Sequence, residues 1–383
     1  MKIGLDYISS FGSGGNATYT RELIKGLAKI DQKNDYYLYT YLHKLLSFYK
    51  KDIISQRNFH YRAGYFCWPY KFFKKNIENF SQQLLPRKIK KDRIDIFHLT
   101  NPLKFNPQIK NFIVTIHDLC YLKEPDFIKK SSMDFCQKNL QAILDKSQAV
   151  IAVSRATKKD ILDNFKIRTD KTFVIYEGIS EIFKPQLDKN YLKKKFNLNK
   201  EYILFIGQLQ PRKNLPRLLK AYSQLALDFR KKYQLVIVGR SRNQTILREL
   251  VSLAARLKIK NQVRFLGYLE TKDLPYLYSG ATVFIYSSLY EGFGLPILES
   301  LACGTPVIAS NVSSLPEVLG QAGLLVDPYN SEEIKLALEK ILTEDGLRDS
   351  LIKKGLAQSR NFNWLSTAQE TLNLYQQVDR YLE

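Results

Sequence analysis

Ser287-Ser288-Leu289-Tyr290-Glu291-Gly292-Phe293-Gly294-Leu295-Pro296-Ile297-Leu298-Glu299 follows directly on the apolar run Val283–Tyr286. Four apolar and aromatic residues without polar alternation read as a strand of a parallel sheet covered on both faces. Two glycines then interrupt the pattern, and Pro296 is well placed to open a helix, where its fixed φ costs nothing. The stretch is therefore one βα turn of an α/β fold. In such a turn the amides of Phe293, Gly294 and Leu295 point outward at the positive end of a helix dipole, which suits phosphate or other anionic oxygens. Two carboxylates frame it, Glu291 before the loop and Glu299 in the first helical turn. Taken alone, such a pair is most often a loop acid and a favourable first-turn acid. Spaced across a loop and a helix start, the two can equally hold two sugar rings of one extended ligand through their hydroxyls.

The same rhythm runs along the whole chain. Strands are expected at Lys2–Leu5, Tyr36–Tyr41, Ile94–His98, Phe112–Ile116, Ala149–Val153 and Thr172–Tyr176. A second set is expected at Tyr202–Ile206, Gln234–Val238, Val263–Leu266, Val283–Tyr286, Pro306–Ala309 and Leu324–Val326. Amphipathic segments such as Ala17–Lys29, Ser131–Lys146, Asn214–Leu227 and Gln244–Leu257 lie between them and read as helices. Two sets of βαβ units imply two doubly wound domains. The change of set falls near Glu177–Lys200, which reads as a linker followed by a short helix. The segment Lys51–Asp95 departs from the pattern, with 11 Lys/Arg, 4 acids and aromatics from Phe59 to Phe73. It reads either as an irregular helical insertion packed on the first domain or as a basic, aromatic rim that meets a membrane interface or lipid-linked substrate.

Composition bounds the function. The chain has 383 residues, enough for two domains with cores of their own. Its 45% hydrophobic and 25% charged residues exclude disordered, collagen-like and coiled-coil classes. Four dispersed cysteines without a CxxC pair fit free thiols in a reducing compartment. Met1-Lys2-Ile3-Gly4-Leu5-Asp6 turns polar too soon for a signal peptide, and no apolar stretch approaches the ~20 residues of a membrane span. A cytoplasmic protein is expected, free or peripheral on the inner face of the membrane. The net charge of +22 is uneven. Residues 1–200 carry 37 Lys/Arg against 19 Asp/Glu, and residues 201–383 carry 22 against 18. The basic half is built for a nucleic acid, an anionic headgroup or a phosphorylated substrate.

Three further clusters carry chemistry. In Phe205-Ile206-Gly207-Gln208-Leu209-Gln210-Pro211-Arg212-Lys213-Asn214-Leu215, two cations stand just before a helix, where the dipole disfavours them. That conflict favours a ligand, a diphosphate held by a guanidinium fork and an ammonium, over a solvated basic turn. Ser10-Phe11-Gly12-Ser13-Gly14-Gly15-Asn16-Ala17 allows close backbone approach before a helix N-terminus. It matches G-x-G-x-x-A, but Tyr36–Tyr41 is followed by Leu42-His43 and not by the acid a dinucleotide site needs. His117 ends the strand Phe112–Ile116, where α/β proteins place ligand contacts, with His98 and Asn101 as weaker candidates for the same cleft.

Glu291 to Glu299 resembles the E-x7-E signature of family 4 retaining glycosyltransferases, which have the GT-B fold. The likeness continues through Ala302-Cys303-Gly304-Thr305-Pro306-Val307-Ile308-Ala309-Ser310, Leu315-Pro316-Glu317-Val318 and Gly323-Leu324-Leu325-Val326-Asp327-Pro328. It covers Tyr202 to about Asn330 closely and the first half more loosely. The resemblance implies two Rossmann-like domains facing each other across a cleft. Residues 1–185 would bind the acceptor, residues 186–363 the nucleotide-sugar donor, and a C-terminal helix at about 364–383 would cross back to the first domain. It further implies that Glu299 contacts the nucleotide ribose and that Arg212 and Lys213 contact the diphosphate. Glu291 with Phe293, Gly294 and Leu295 would hold the donor sugar, and Gly14 and Gly15 would close on the ligands. His117 would orient the acceptor or donate to a sugar hydroxyl. Where the wider family has an Arg after the glycine this chain has Gln208, so Arg212 takes that place, and the pairing of cation with phosphate stays open.

Transfer with retention by front-face attack, assisted by the leaving phosphate, is what the family implies. No Asp-x-Asp pair is present for a metal, and no cofactor is expected. The Pro211–Asn214 and Tyr290–Pro328 runs resemble mannosyltransferase-like members, which points to GDP-mannose and to a saccharide or lipid-linked acceptor in envelope polysaccharide or O-antigen synthesis. The rival readings are a nucleotide-sugar epimerase or phosphorylase of similar architecture, and a basic nucleic-acid-binding protein.

Overall fold

The computed structural model describes residues 1–11, 14–41, 54, 56–65, 84–123, 130–241 and 243–382. Gly12, Ser13, Leu42-His43, Cys67, Phe72-Phe73 and much of the basic aromatic segment lie outside the described residues. The chain divides into two units. One comprises Met1–Leu119, Lys129–Gly178 and Trp364–Glu383, and the other comprises Ile179–Asn363 with a short piece beginning at Cys120. The division at Gly178/Ile179 falls before the boundary expected after residue 185.

In the first unit, β1 (Lys2–Asp6), β2 (Asp35–Tyr41), β3 (Phe59–Tyr65), β4 (Ile96–Leu99), β5 (Phe112–Ile116), β6 (Ala149–Ala152) and β7 (Thr172–Val174) form one sheet. Their order is β3-β2-β1-β4-β5-β6-β7. In the second unit, β8 (Glu201–Ile206), β9 (Tyr233–Val238), β10 (Val263–Gly267), β11 (Val283–Tyr286), β12 (Val307–Ser310) and β13 (Gly323–Val326) follow the order β10-β9-β8-β11-β12-β13. Every described pairing is parallel. Both orders reverse direction beside the first strand of the set, between β1 and β4 and between β8 and β11. Ligands of open α/β sheets bind outside the carboxyl ends of the strands at that reversal.

The apolar runs form these strands because both sheet faces are covered. All of β4, β5, β6, β9, β11 and β12 is buried. One strand corrects the expectation from sequence. Phe59–Tyr65, expected within a helical insertion or rim, is β3, which pairs with β2 at the sheet edge. Phe59 stacks on Tyr36 at 4.6 Å between centroids, so its aromatic content serves a strand face. The helix expected over Asn214–Leu227 is two, Leu215–Ser223 and Leu227–Lys232.

The helix Trp364–Leu382 packs in the first unit. It crosses the helix Gly15–Ile30 closely. A Cβ on Gly26 would lie 2.8 Å from the Trp364 carbonyl and from the Ala368 Cβ, so only glycine admits that approach. Inside the unit Tyr375 is fully buried, with its hydroxyl 2.7 Å from His98 Nδ1. His98 Nε2 lies 2.8 Å from Thr115 Oγ1, which is 3.0 Å from the Tyr19 hydroxyl. His98 is thus the neutral centre of an interior chain of side-chain hydrogen bonds, its pKa pushed down to about 3 by burial. It is not the cleft residue that its strand-end position suggests, and Asn101 instead caps the turn Pro102–Lys104 by accepting from Leu103 N–H.

Candidate active site

The strongest cluster lies in the second unit at the β8/β11 reversal. After β8 the chain passes Gly207 and makes the single turn Pro211–Lys213. Asn214 then takes a left-handed conformation, φ 58°, and starts the next helix. This turn sends both cations toward the loop after β11. Arg212 Nη1 donates to the Tyr290 carbonyl at 3.0 Å and stands 2.7 Å from Glu291 Oε2, while its Nε donates to Gln210 Oε1 at 3.1 Å. Lys213 pairs with Glu291 Oε1 and donates to the Tyr286 hydroxyl at 2.5 Å. Leu289 N–H reaches back to the Arg212 carbonyl at 2.8 Å, tying the two loops together. Gln208, which stands where the wider family has an arginine, accepts from Gln210 Nε2 at 3.1 Å.

Glu291 is buried. Burial alone raises a carboxyl pKa, but the Arg212 and Lys213 charges prevail and hold this one at about 2. Its loop is pinned from the far side. Glu291 N–H donates to Ser313 Oγ, and Ser314 Oγ donates to the carbonyls of Glu291 and Phe293. Two cations thus face one buried carboxylate, Lys213 buried beside it and Arg212 partly exposed.

The E-x7-E loop ends at Gly294, whose φ of 117° lies outside what other residues accept readily. The helix is Leu295–Ala302, so Glu299 stands in its second turn and not in its first, as its spacing from Pro296 suggests. The helix starts one residue before Pro296, and this shifts the count. Glu299 Oε2 accepts from the Tyr278 hydroxyl at 2.8 Å. Burial pushes the Glu299 pKa up to about 7, only partly offset by that hydrogen bond. Phe293 and Gly294 are buried and Leu295 is partly exposed. Phe293 packs edge-on against Phe362 at 5.8 Å.

The remaining candidates lie in the first unit. Gly14, φ 108°, caps the helix Gly15–Ile30, and Gly15 has open space where a Cβ would stand. His117 is buried, and both ring nitrogens have partners. Nε2 donates to the Thr100 carbonyl at 2.9 Å, and Nδ1 is 3.3 Å from Glu177 Oε1. The Tyr19 ring meets the His117 ring edge-on at 4.8 Å. Glu177, Tyr278, Tyr286, Ser313 and Ser314 also contact these residues, and no motif marks them. The acid Glu177 is visible just beyond a strand end, but its place at the start of the linker hides it. The two tyrosines are indistinguishable from core residues. Among the described residues, no group of three or more His, Cys, Asp or Glu side chains could hold a metal ion, and no helix is long and apolar enough to cross a membrane.

Residues 188–358 match the profile of Glycosyl transferases group 1, and residues 13–181 match that of Glycosyltransferase Family 4. The O-antigen chain mannosyltransferase B of Escherichia coli is 35% identical over 272 residues, which are 70% of this chain and 71% of that protein. The chain belongs to the family 4 glycosyltransferases.

This glycosyltransferase, a hexosyltransferase by class, is also 32% identical over 253 residues to the serotype-specific mannosyltransferase WbdA of Escherichia coli. That match covers 65% of this chain and 30% of WbdA. Among solved structures, sucrose-phosphate synthase from Thermosynechococcus elongatus aligns with TM-score 0.77 at 22% identity, covering 98% of each chain. WaaG, a glycosyltransferase involved in lipopolysaccharide biosynthesis, aligns with TM-score 0.73 at 16% identity, covering 98% of this chain and 99% of that one. The glycosyltransferase has the GT-B fold, two parallel-sheet Rossmann-like units.

Proposed function

We propose that this glycosyltransferase moves a mannosyl group from GDP-mannose to a hydroxyl of a saccharide or lipid-linked acceptor in envelope polysaccharide synthesis, with retention of anomeric configuration. The observation that carries the reading is the Arg212–Glu291–Lys213 cluster, which sets two cations around one buried carboxylate at the reversal of the second sheet. Such a place attracts a diphosphate and stabilises the negative charge that grows on it as the glycosidic bond breaks, because the cations are already oriented and shielded from water. The choice of mannose draws its support from the relatives, two of which are O-antigen or serotype-specific mannosyltransferases.

In this reading Glu299 accepts from the ribose hydroxyls, and Glu291 with the Phe293, Gly294 and Leu295 amides holds the sugar. Gly14 and Gly15 approach the ligands by backbone, and His117 orients the acceptor side. No covalent nucleophile is assigned to Glu291, and the cations take the place of a metal. The N-terminal unit serves the acceptor, and its basic surface holds the enzyme at an anionic membrane face.

A donor panel tests the proposal. Purified enzyme with a mannan-type or lipid-linked acceptor is expected to release nucleoside diphosphate from GDP-mannose faster than from UDP-glucose, UDP-galactose or UDP-N-acetylglucosamine. Proton NMR of the product is expected to show an α-linkage, and EDTA is expected to leave the rate unchanged. A flat response to every donor would overturn the transferase reading, and an inverted linkage would overturn retention.

A further inference from the structure

We propose that Tyr286 is a positioning residue of the donor site: its hydroxyl fixes the Lys213 ammonium where the donor diphosphate meets it. The inference rests on the reading of Lys213 as a diphosphate contact and adds a residue that neither the motif nor its spacing singles out.

Tyr286 is the last residue of β11, at the sheet reversal, and is 1% exposed. Its ring lies nearly parallel to Phe205 of β8, 6.0 Å away at 24°, and to Phe284, 5.8 Å away at 23°. Two aromatic neighbours on two adjacent strands hold the ring still, so the hydroxyl has one place to be. The Lys213 ammonium donates to it at 2.5 Å and lies 4.7 Å from the ring centroid, off the hydroxyl edge of the ring. Phe205 and Phe284 fill neighbouring positions without a hydroxyl. A buried hydroxyl is costly unless it is bonded, and here it accepts from the Lys213 ammonium and also bonds to Glu291 and Ser288.

A lysine stem is flexible, and its ammonium is a point charge with no direction of its own. Glu291 also draws Lys213, but the carboxylate is the group that the donor sugar is to engage. A neutral phenol on a rigid strand is not recruited by the ligand. It therefore keeps its hold on the ammonium when the carboxylate engages the sugar and the diphosphate arrives. Burial and the nearby Glu291 charge push the phenol well above its ordinary pKa, so it remains protonated throughout the working range.

Tyr286→Phe keeps the ring stack and removes only the hydroxyl. Calorimetric titration with GDP and with UDP is expected to show about tenfold weaker binding of whichever the wild type prefers, the scale of a lost hydrogen bond to a charged group. A structural role would give a general loss, so the deciding measurement is a double-mutant cycle with Lys213→Met. Tyr286→Phe is expected to change affinity by less than about twofold in the Lys213→Met background, because its effect on the diphosphate passes through that ammonium and not through its bond to Glu291. If Tyr286→Phe lowers the melting temperature, titration below all four transitions still decides the cycle. Wild-type affinity in Tyr286→Phe, or an equal loss with and without Lys213, would overturn the proposal alone. Binding of neither GDP nor UDP by the wild type would overturn the donor-site reading, and this proposal with it.

Discussion

Two glutamates of one motif stand in opposite electrostatic surroundings. Glu291 is held at about 2 by its cations, and Glu299 is pushed up to about 7 by burial. For Glu291 the folded pKa lies below the ordinary 4.5, so its contribution to stability is full above pH 4.5 and is lost as pH falls toward 2. That contribution is on the order of 3 kcal/mol, and acid unfolding followed by circular dichroism should shift to lower pH than in Glu291→Gln. The same substitution leaves Arg212 and Lys213 without their counter-charge, which should cost roughly 3–5 kcal/mol in denaturant titration at pH 7. Transfer should collapse in Glu291→Ala, by at least about a hundredfold in kcat/KM. For Glu299 the neutral acid dominates below about 7 and the carboxylate above it. A carboxylate accepts from two ribose hydroxyls, so the donor KM should fall as pH rises from about 6 to 8. Glu299→Gln should flatten that dependence. A KM independent of pH in the wild type would remove Glu299 from the ribose.

At the scale of elements, the strands are legible because a parallel sheet covered on both faces writes itself as short, unbroken apolar runs. Phe112–Ile116 and Val283–Tyr286 occupy the residues their composition indicates. β3 is not legible, because Phe59-His60-Tyr61-Arg62-Ala63-Gly64-Tyr65 is an edge strand with polar residues interleaved, and its neighbours in sequence are basic and aromatic. Arg212, Lys213 and Glu291 are legible one by one because each stands in a recognisable loop motif, although the meeting of the two loops, 78 residues apart, is not. The same holds for other contacts that span sequence distance. His117 and Glu177 are 60 residues apart, and Tyr278 and Glu299 are 21 apart. Nothing in a one-dimensional pattern marks which buried tyrosine faces which acid. The Gly294 turn supplies a test at this scale. Its φ is 117°, and a methyl group added there would stand only 3.0 Å from Leu315 Cδ2, so Gly294→Ala is strained. The expected cost is roughly 1–2 kcal/mol in thermal melts, with loss of transfer larger than the loss of stability.

For the molecule as a whole, the charge is unevenly distributed along the chain. The basic excess sits in residues 1–200, while residues 201–383, with 22 Lys/Arg against 18 Asp/Glu, are nearly balanced. A surface of that kind attracts an anionic bilayer by about 1 kcal/mol per nearby Lys or Arg, and salt screens the attraction within about 10 Å at 0.1 M. Sedimentation with phosphatidylglycerol vesicles should therefore retain the protein at low salt and release it at about 0.5 M NaCl, with no retention on phosphatidylcholine. Retention that survives high salt would point to apolar insertion instead.

The helix Trp364–Leu382 also sets a timetable for synthesis. The first unit closes around Tyr375, Trp364 and Ala368, which the ribosome makes only after residues 179–363. At about 5–20 residues per second that interval is on the order of ten to forty seconds. The first sheet therefore waits with its helix-binding face bare, and the later unit is the first that can finish folding. A fragment ending at Gly178 should stay soluble and cooperative only when a peptide spanning Trp364–Leu382 is supplied in trans.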